Sequence, residues 1–366
     1  MKKVGCITFH SAHNYGSVLQ AYALQEFVKL NFPDVVYKII NLRTKRQKEL
    51  YSVFPKRASY RYKFFVLFNY FSLRKKHENF EKFINTKLEL TEEFSDENIT
   101  EERFDFDYYI SGGDQCWNID CADFSWLYYL TFVKKARKLS YSISLGPKAL
   151  SASNLMVEKI KNCVNGYTSL SLREIGSINQ LSKILDKPMQ QNIDPVLLLD
   201  KDIWTKLAGE RIEKSAYIFL YILDNDRQAY DFATRLSKYT GKKVIISKPI
   251  CKKDFFHHFT NRFDCGPVEF LNYILYADIV ISTSFHGCVF ASLFEKPLIT
   301  LNAEKDNRRW CFLEKYGLAN RNVKPNINDK EIEVLLDTVD FTLFKNELKR
   351  EQNRSFEYLK NALGED

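Results

Sequence analysis

Short apolar runs of strand length alternate with segments of helical spacing along most of the chain, and this alternation restricts the fold more than any other feature. VGCITFH reads as a buried strand, the polar loop SAHNYG follows, and SVLQAYALQEFVKL carries apolar residues at helical spacing. VVYKIINL, YYISGG, KLSYSISLG and YTSLSLR read as further strands, with a helix near Ser153–Asn165 between the last two. The second half repeats the rhythm. AYIFLYIL is a strand, Arg227–Tyr239 a helix ending before Gly241, KKVIISK a strand and PVEFLNYILYA a helix. DIVIST is then a strand, SFHGCVFASLFE a helix and PLITLN a strand. Such a rhythm requires mostly parallel sheets covered on both faces. A chain of 366 residues suits two domains, each burying its own core. The expectation is an α/β protein of two doubly wound parallel-sheet domains facing a cleft. The first covers 1–190, the second 191–328, and a polar helical segment follows over 329–366.

Residues 44–104 interrupt the first domain with a helical, basic pattern dense in Phe and Tyr, as in YRYKFFVLFNYFSLRKK. The net charge of +8 is concentrated here: Arg43–Lys87 holds 13 Lys and Arg against Glu49, Glu78 and Glu81, a balance of +10. The remaining 41 basic and 43 acidic residues leave −2 elsewhere. Two readings stay open for this helical insertion. Its aromatic stripe packs on its own domain, or it touches anionic lipid or a lipid-linked substrate as a peripheral membrane element. Confinement of the charge, without a binding motif, argues against nucleic acid.

Met1 leads through two lysines into a strand, and no stretch approaches the roughly 18 apolar residues of a spanning helix. Eight cysteines lie without zinc or redox spacing, Cys116 and Cys121 being the closest pair. Free thiols in the cytoplasm are expected, with peripheral attachment at the inner face of the membrane as the open alternative.

Three strand ends carry candidate chemistry. In DIVISTSFHGCVFASLFEKP, Ser282, Thr283 and Ser284 close a strand and His286 and Gly287 open a helix, where backbone N–H groups and the dipole favour an anion. Ser284 is equally a plain N-cap. In HSAHNYGSVLQ, His10, His13, Asn14, Tyr15 and Gly16 form a strand-to-helix loop with Gln20 behind it, suited to a sugar or its diphosphate. Two histidines without a carboxylate make a poor metal site, so no metal is expected. Neither Gly-x-Gly-x-x-Gly nor Gly-x-x-x-x-Gly-Lys occurs. In YYISGGDQCWN, Gly112 and Gly113 allow close backbone approach. Asp114, Gln115, Trp117 and Asn118 suit carbohydrate hydroxyls and ring faces, although turn chemistry alone also explains the glycines. Arg173 sits where a strand meets a helix and can clamp an anion or pair with Glu174. Lys305, Arg308 and Arg309 form a basic cluster after the last strand, either at the same anion or as a solvated run.

In this order, FHSAHNYGSVLQAYALQ, SGGDQCWN, REIGS with NIDPVLLL, and DIVISTSFHGCVFASLFEKPLI resemble the polysaccharide pyruvyl transferase family over about Lys2 to Arg321. The resemblance implies a Rossmann-like, GT-B-like pair of domains, with the acceptor in the first and phosphoenolpyruvate held largely by the second. It implies transfer of pyruvate onto a nucleotide-linked, lipid-linked or oligosaccharide acceptor during synthesis of capsule, exopolysaccharide or wall sugars, without a cofactor. It also implies that His286 matches the family's histidine and Arg173 the arginine of its Arg-Glu motif. Well-studied members of the family carry Arg-Leu before that histidine, where this chain has Ser284-Phe285. Lys305, Arg308 and Arg309 are the candidates to replace the missing cation.

A histidine that donates and accepts protons near neutrality fits ketal formation from an enol phosphate, and cations fit the donor's carboxylate and phosphate. Two alternatives share the architecture: a GT-B glycosyltransferase using a nucleotide sugar, and a carbohydrate-binding relative without catalysis.

Overall fold

The computed structural model describes residues 1–54, 60–146, 154–223, 226–248 and 257–364. In the first half the chain runs β1 (Lys2–Ile7), α1 (Tyr15–Asn31), β2 (Val35–Leu42), α2 (Lys45–Leu50), α3 (Tyr60–Lys87) and β3 (Leu90–Phe94). It continues through β4 (Tyr108–Gly112), β5 (Arg137–Tyr141), α4 (Asn154–Asn165), β6 (Tyr167–Ser169), β7 (Ser171–Leu172), α5 (Ile175–Leu181) and β8 (Gln190–Gln191). One six-stranded sheet has the order β3-β2-β1-β4-β5-β6, parallel throughout. Every residue of β4 is buried, as a strand covered on both faces must be.

The second half runs α6 (Lys201–Ala208), β9 (Tyr217–Tyr221), α7 (Arg227–Thr240), β10 (Lys243–Ile246), β11 (Thr260–Asn261), α8 (Pro267–Leu275) and β12 (Ile279–Ser282). Then come α9 (Phe285–Leu293), β13 (Leu298–Leu301), α10 (Asn307–Lys315), β14 (Asn322–Val323), α11 (Asp329–Leu336) and α12 (Thr342–Ala362). Its sheet has the order β11-β10-β9-β12-β13-β14, again all parallel. The two doubly wound sheets give the α/β class expected from the apolar rhythm.

Two local differences have physical reasons. The basic stretch 44–104 is helical in α2 and α3, but Leu90–Phe94 joins the sheet as edge strand β3. Its sequence LTEEF is short and exposes both glutamates, a charged edge that resists further pairing and shows no apolar alternation. YTSLSLR is not one strand: the chain breaks at Leu170, so β6 stays in the large sheet while β7 pairs with β8.

The first unit comprises Met1–Arg57, Glu81–Leu199 and Arg350–Asp366, and the second Ala58–Phe80 with Asp200–Lys349. A buried polar network ties the late segment into the first. Asn192 donates to Ser355 Oγ at 3.1 Å, Tyr358 donates to the Ser140 carbonyl at 2.7 Å, and Gln352 donates to the Leu197 carbonyl at 3.0 Å. Phe356 stacks on Phe32 with ring centroids 5.4 Å apart. Groups paired this way inside a core fix one register, because each partner lost would leave an unsatisfied polar atom. Seven cysteines, Cys6, Cys116, Cys121, Cys163, Cys265, Cys288 and Cys311, are free thiols; Cys251 lies outside the described residues.

Candidate functional site

Each sheet reverses its winding once, between β1 and β4 in the first unit and between β9 and β12 in the second. Ligands of open parallel sheets sit at the carboxyl ends of the strands flanking such a reversal. The loops singled out in the sequence, after β1, β4 and β12, lie at these two points. An open hollow of about 1230 Å³, lined by Lys2, Asp107 and Arg137 among others, sits at the amino ends of the first sheet instead.

In the first unit the loop after β1 is built around buried polar contacts. His10 is fully buried, its ring nitrogens 3.2 Å from the Thr8 carbonyl and 3.0 Å from the Asn41 side-chain oxygen. Gln20, also fully buried, donates to Thr8 Oγ1 and to the Ser17 carbonyl, both at 2.8 Å. Asn14 caps α1, accepting from the Gly16 and Ser17 amides, so Gly16 lies inside the helix and not at a tight turn. Tyr15 is buried behind it. His13 is partly exposed and meets Glu81 at 3.2 Å, while Arg43 grips the same carboxylate through two bonds of 3.1 and 3.0 Å. Burial works against the charge of Glu81, but the bonds from His13 and Arg43 outweigh it and pull the group down to about 2. Tyr51, 5.4 Å from the His13 ring, donates to Asp123 at 2.8 Å. Burial raises Asp123 above the usual carboxylate range. Glu81, Arg43, Tyr51 and Asp123 escaped the sequence reading. The one signal was that Glu81 is among only three acids in the basic segment.

His10 makes the stability of this unit depend on pH. Burial holds it near 4, below its ordinary 6.5, so the unfolded chain binds the proton first as pH falls. Stability present above pH 6.5 is therefore lost progressively down to about pH 4, by on the order of 3 kcal/mol. Glu81 acts in a separate window, from 4.5 down to about 2. Urea unfolding at pH 7.5 and pH 5 measures the first window: His10→Gln is expected to flatten the difference, and an unchanged difference would show that another group sets it.

The loop after β4 turns at Gly113, whose φ of +88° is left-handed. A Cβ there would stand 1.7 Å from Gln20 Oε1, and Gln20 cannot swing aside without breaking its two bonds. Asp114 is buried and accepts from the Gln115 amide at 2.8 Å. Gln115 and Asn118 are partly exposed and joined to each other at 3.1 Å. Trp117 requires a correction. It is fully buried, stacked on Tyr129 at 4.7 Å, with its indole N–H donating to Ser111 and the Tyr128 carbonyl. It has no ring face for a sugar, because the strand-end loop folds it under the sheet.

Arg173 is buried in the first unit, its Nη1 donating to Asp194 at 2.6 Å and its Nε to Glu174 at 2.7 Å. Asp194 in turn accepts from the Val196 amide and starts the turn Pro195–Leu198. Burial works against the charge of Arg173, but Glu174, Asp194 and Asp114 together hold it more firmly protonated than a free guanidinium. An arginine so surrounded by carboxylates joins strand ends together, with its Nε on Glu174, the pairing that the sequence left open beside an anion clamp.

In the second unit the loop after β12 is tightly wound. The Ser284 amide donates to Ser282 Oγ at 3.1 Å, and the Ser284 side chain bonds to the phenol of Tyr221 on neighbouring β9. Ser284 occupies the N-cap position of α9 without capping it through its side chain. Ser282 is fully buried in this turn, whereas Thr283 and His286 are partly exposed. Gly287 is required by close packing, since a Cβ would lie 2.2 Å from Ser282 Oγ and 2.9 Å from the Tyr221 ring. The effect is to press α9 onto the strands, leaving His286 on its first turn with the Phe285 ring 5.1 Å away.

The basic cluster divides into three roles. Lys305 is exposed beyond β13, the strand beside β12. Arg308 binds Asp306 through two bonds of 3.0 Å. Arg309 is buried, donating to Thr300 Oγ1 and to the Leu301 and Asn302 carbonyls. This corrects Arg309 from a ligand-facing cation to a brace for the strand end. Among the described residues no three His, Cys, Asp or Glu side chains converge as a metal site.

The polysaccharide pyruvyl transferase profile matches residues 14–304, from the cap of α1 through the loops after β4 and β12. The chain belongs to that family. Within the family frame, the match takes in most of the β1 loop's helix start, the β4 and β12 loops, Arg173 and His286. No curated protein sequence matches the chain. Among solved structures, a putative UDP-N-acetylglucosamine 2-epimerase from Listeria monocytogenes is similar at a TM-score of 0.59 and 10% identity, over 100% of this chain and 98% of that one. The UDP-GlcNAc 2-epimerase from Neisseria meningitidis, bound to UDP-GlcNAc, gives 0.55 and 12% over 100% of both chains. These likenesses show a GT-B-type fold for this family member.

Proposed function

We propose that the chain transfers pyruvate from phosphoenolpyruvate to two hydroxyls of a sugar acceptor as a ketal, with His286 moving protons at the donor. The observation that supports this most is His286 on the first turn of α9, at the winding reversal of the second sheet, inside a family match covering that loop. The first-turn amides of α9 offer the donor's anionic end a favourable dipole, and Lys305 and Arg308 supply charge for its other end. The methylene carbon of the enol takes a proton from the histidine, one sugar hydroxyl adds to the adjacent carbon, phosphate leaves, and the second hydroxyl closes the ketal. The histidine recovers its proton from one attacking hydroxyl, and the proton of the other leaves with phosphate. The partly exposed groups at the first reversal, His13, Gln115 and Asn118, suit hydroxyl recognition on the acceptor.

The likeness to epimerases of a nucleotide sugar favours one competing reading, a nucleotide-sugar site on the same fold. Thermal melting separates the two. Phosphoenolpyruvate is expected to raise the melting temperature with the logarithm of its concentration, about 2.7 kcal/mol of stabilisation at a hundredfold excess over Kd. A rise with UDP-GlcNAc and none with phosphoenolpyruvate would replace the pyruvyl reading by the nucleotide-sugar one.

A further inference from the structure

Helix α3 is apolar on two opposite faces, and only one of them is covered. Val66, Asn69 and Phe80 on one side are buried, whereas Leu67, Phe68 and Phe71 on the other are 72%, 83% and 85% exposed. Positions 67 and 71 are one helical turn apart with 68 beside them, so the three form a continuous stripe. Contiguous apolar side chains in water mark a contact surface more often than isolated ones do. Arg74 and Lys75 follow one turn later, both mostly exposed although paired with Glu78 and Asp264, and by sequence the surrounding Arg43–Lys87 segment carries the +10 balance while the rest of the chain is −2. No helix of the described residues is long and apolar enough to cross a membrane.

We propose that this stripe docks on an anionic lipid leaflet, with α3 lying in the plane of the interface. Phenylalanine rings enter the boundary between headgroups and acyl chains, and the basic residues around them meet the negative surface potential. Charge decides between this occupant and a second copy of the chain. A twofold self-contact would set the same basic segment against itself, whereas anionic headgroups neutralise it.

Vesicle flotation tests the assignment without any donor or acceptor, so its outcome is independent of the pyruvyl reading. The protein is expected to float with vesicles of phosphatidylcholine and phosphatidylglycerol at low salt. It should come off as salt rises and float poorly with phosphatidylcholine alone. Phe68→Ser/Phe71→Ser should lose most of this binding with an unchanged melting temperature, because neither ring is buried. Absence of flotation with the anionic vesicles, or equal flotation of the double variant, overturns the proposal. So does a concentration-dependent dimer in sedimentation that the double variant abolishes, which would assign the stripe to a self-interface.

Discussion

His286→Ala is expected to lower phosphate release from phosphoenolpyruvate in the presence of acceptor by about 10²–10⁴-fold, the usual contribution of a positioned proton donor and acceptor. The donor-induced rise in melting temperature should change little, since the helix-start amides of α9 and the nearby cations remain. The side chain is partly exposed and sits on a first turn whose winding depends on Ser282, Ser284 and Gly287, so its removal should leave the loop intact. His286→Gln sharpens the test, because it keeps hydrogen-bonding groups and cannot shuttle a proton near neutrality. Turnover that survives either change would remove the histidine from the chemistry, and a lost melting shift would make it a binding group.

Arg173→Ala should act on folding before it acts on any ligand. It leaves the Asp194 carboxylate, which has no exposed side-chain surface, and the Glu174 carboxylate without their cation. Breaking a buried pair from one side typically costs about 3–5 kcal/mol, readable as a fall in the urea midpoint with no donor present. Arg173→Lys should recover only part, because one ammonium cannot reach in both of the directions that the Nε and Nη1 atoms do. A double-mutant cycle with Asp194→Asn is expected to be strongly non-additive. Additivity, or a stability equal to the parent, would overturn this structural role for Arg173.

The contrast between these two residues shows what can be read from a sequence of this kind. The strand-to-helix grammar around DIVISTSFHG put His286 on the first turn of a helix at a strand's carboxyl end, because apolar run, cap and helix start are all local signals. The winding reversals followed from the β-α-β rhythm. Partners distant along the chain were not legible. Nothing near Arg173 shows that Asp194 and Asp114 will close around it. Trp117 misled for a related reason: an indole beside a strand end serves a sugar or a core equally well, and only the position of Tyr129 and Ser111 decides. Glu81 was hidden because its two partners, His13 and Arg43, lie on the far side of a long helical segment.

The return of Arg350–Asp366 to the first unit sets a schedule for biosynthesis. A nascent chain that has released Leu199 has every strand of the first sheet, yet lacks Ser355, Tyr358 and Gln352, the partners of Asn192, Ser140 and the Leu197 carbonyl. Those polar groups wait in solvent or in provisional contacts while all of Asp200–Lys349 is translated. Domains otherwise tend to fold in the order of their synthesis. Here the unit begun first is finished last, so the second sheet can form while the first is still open to chaperones and proteases.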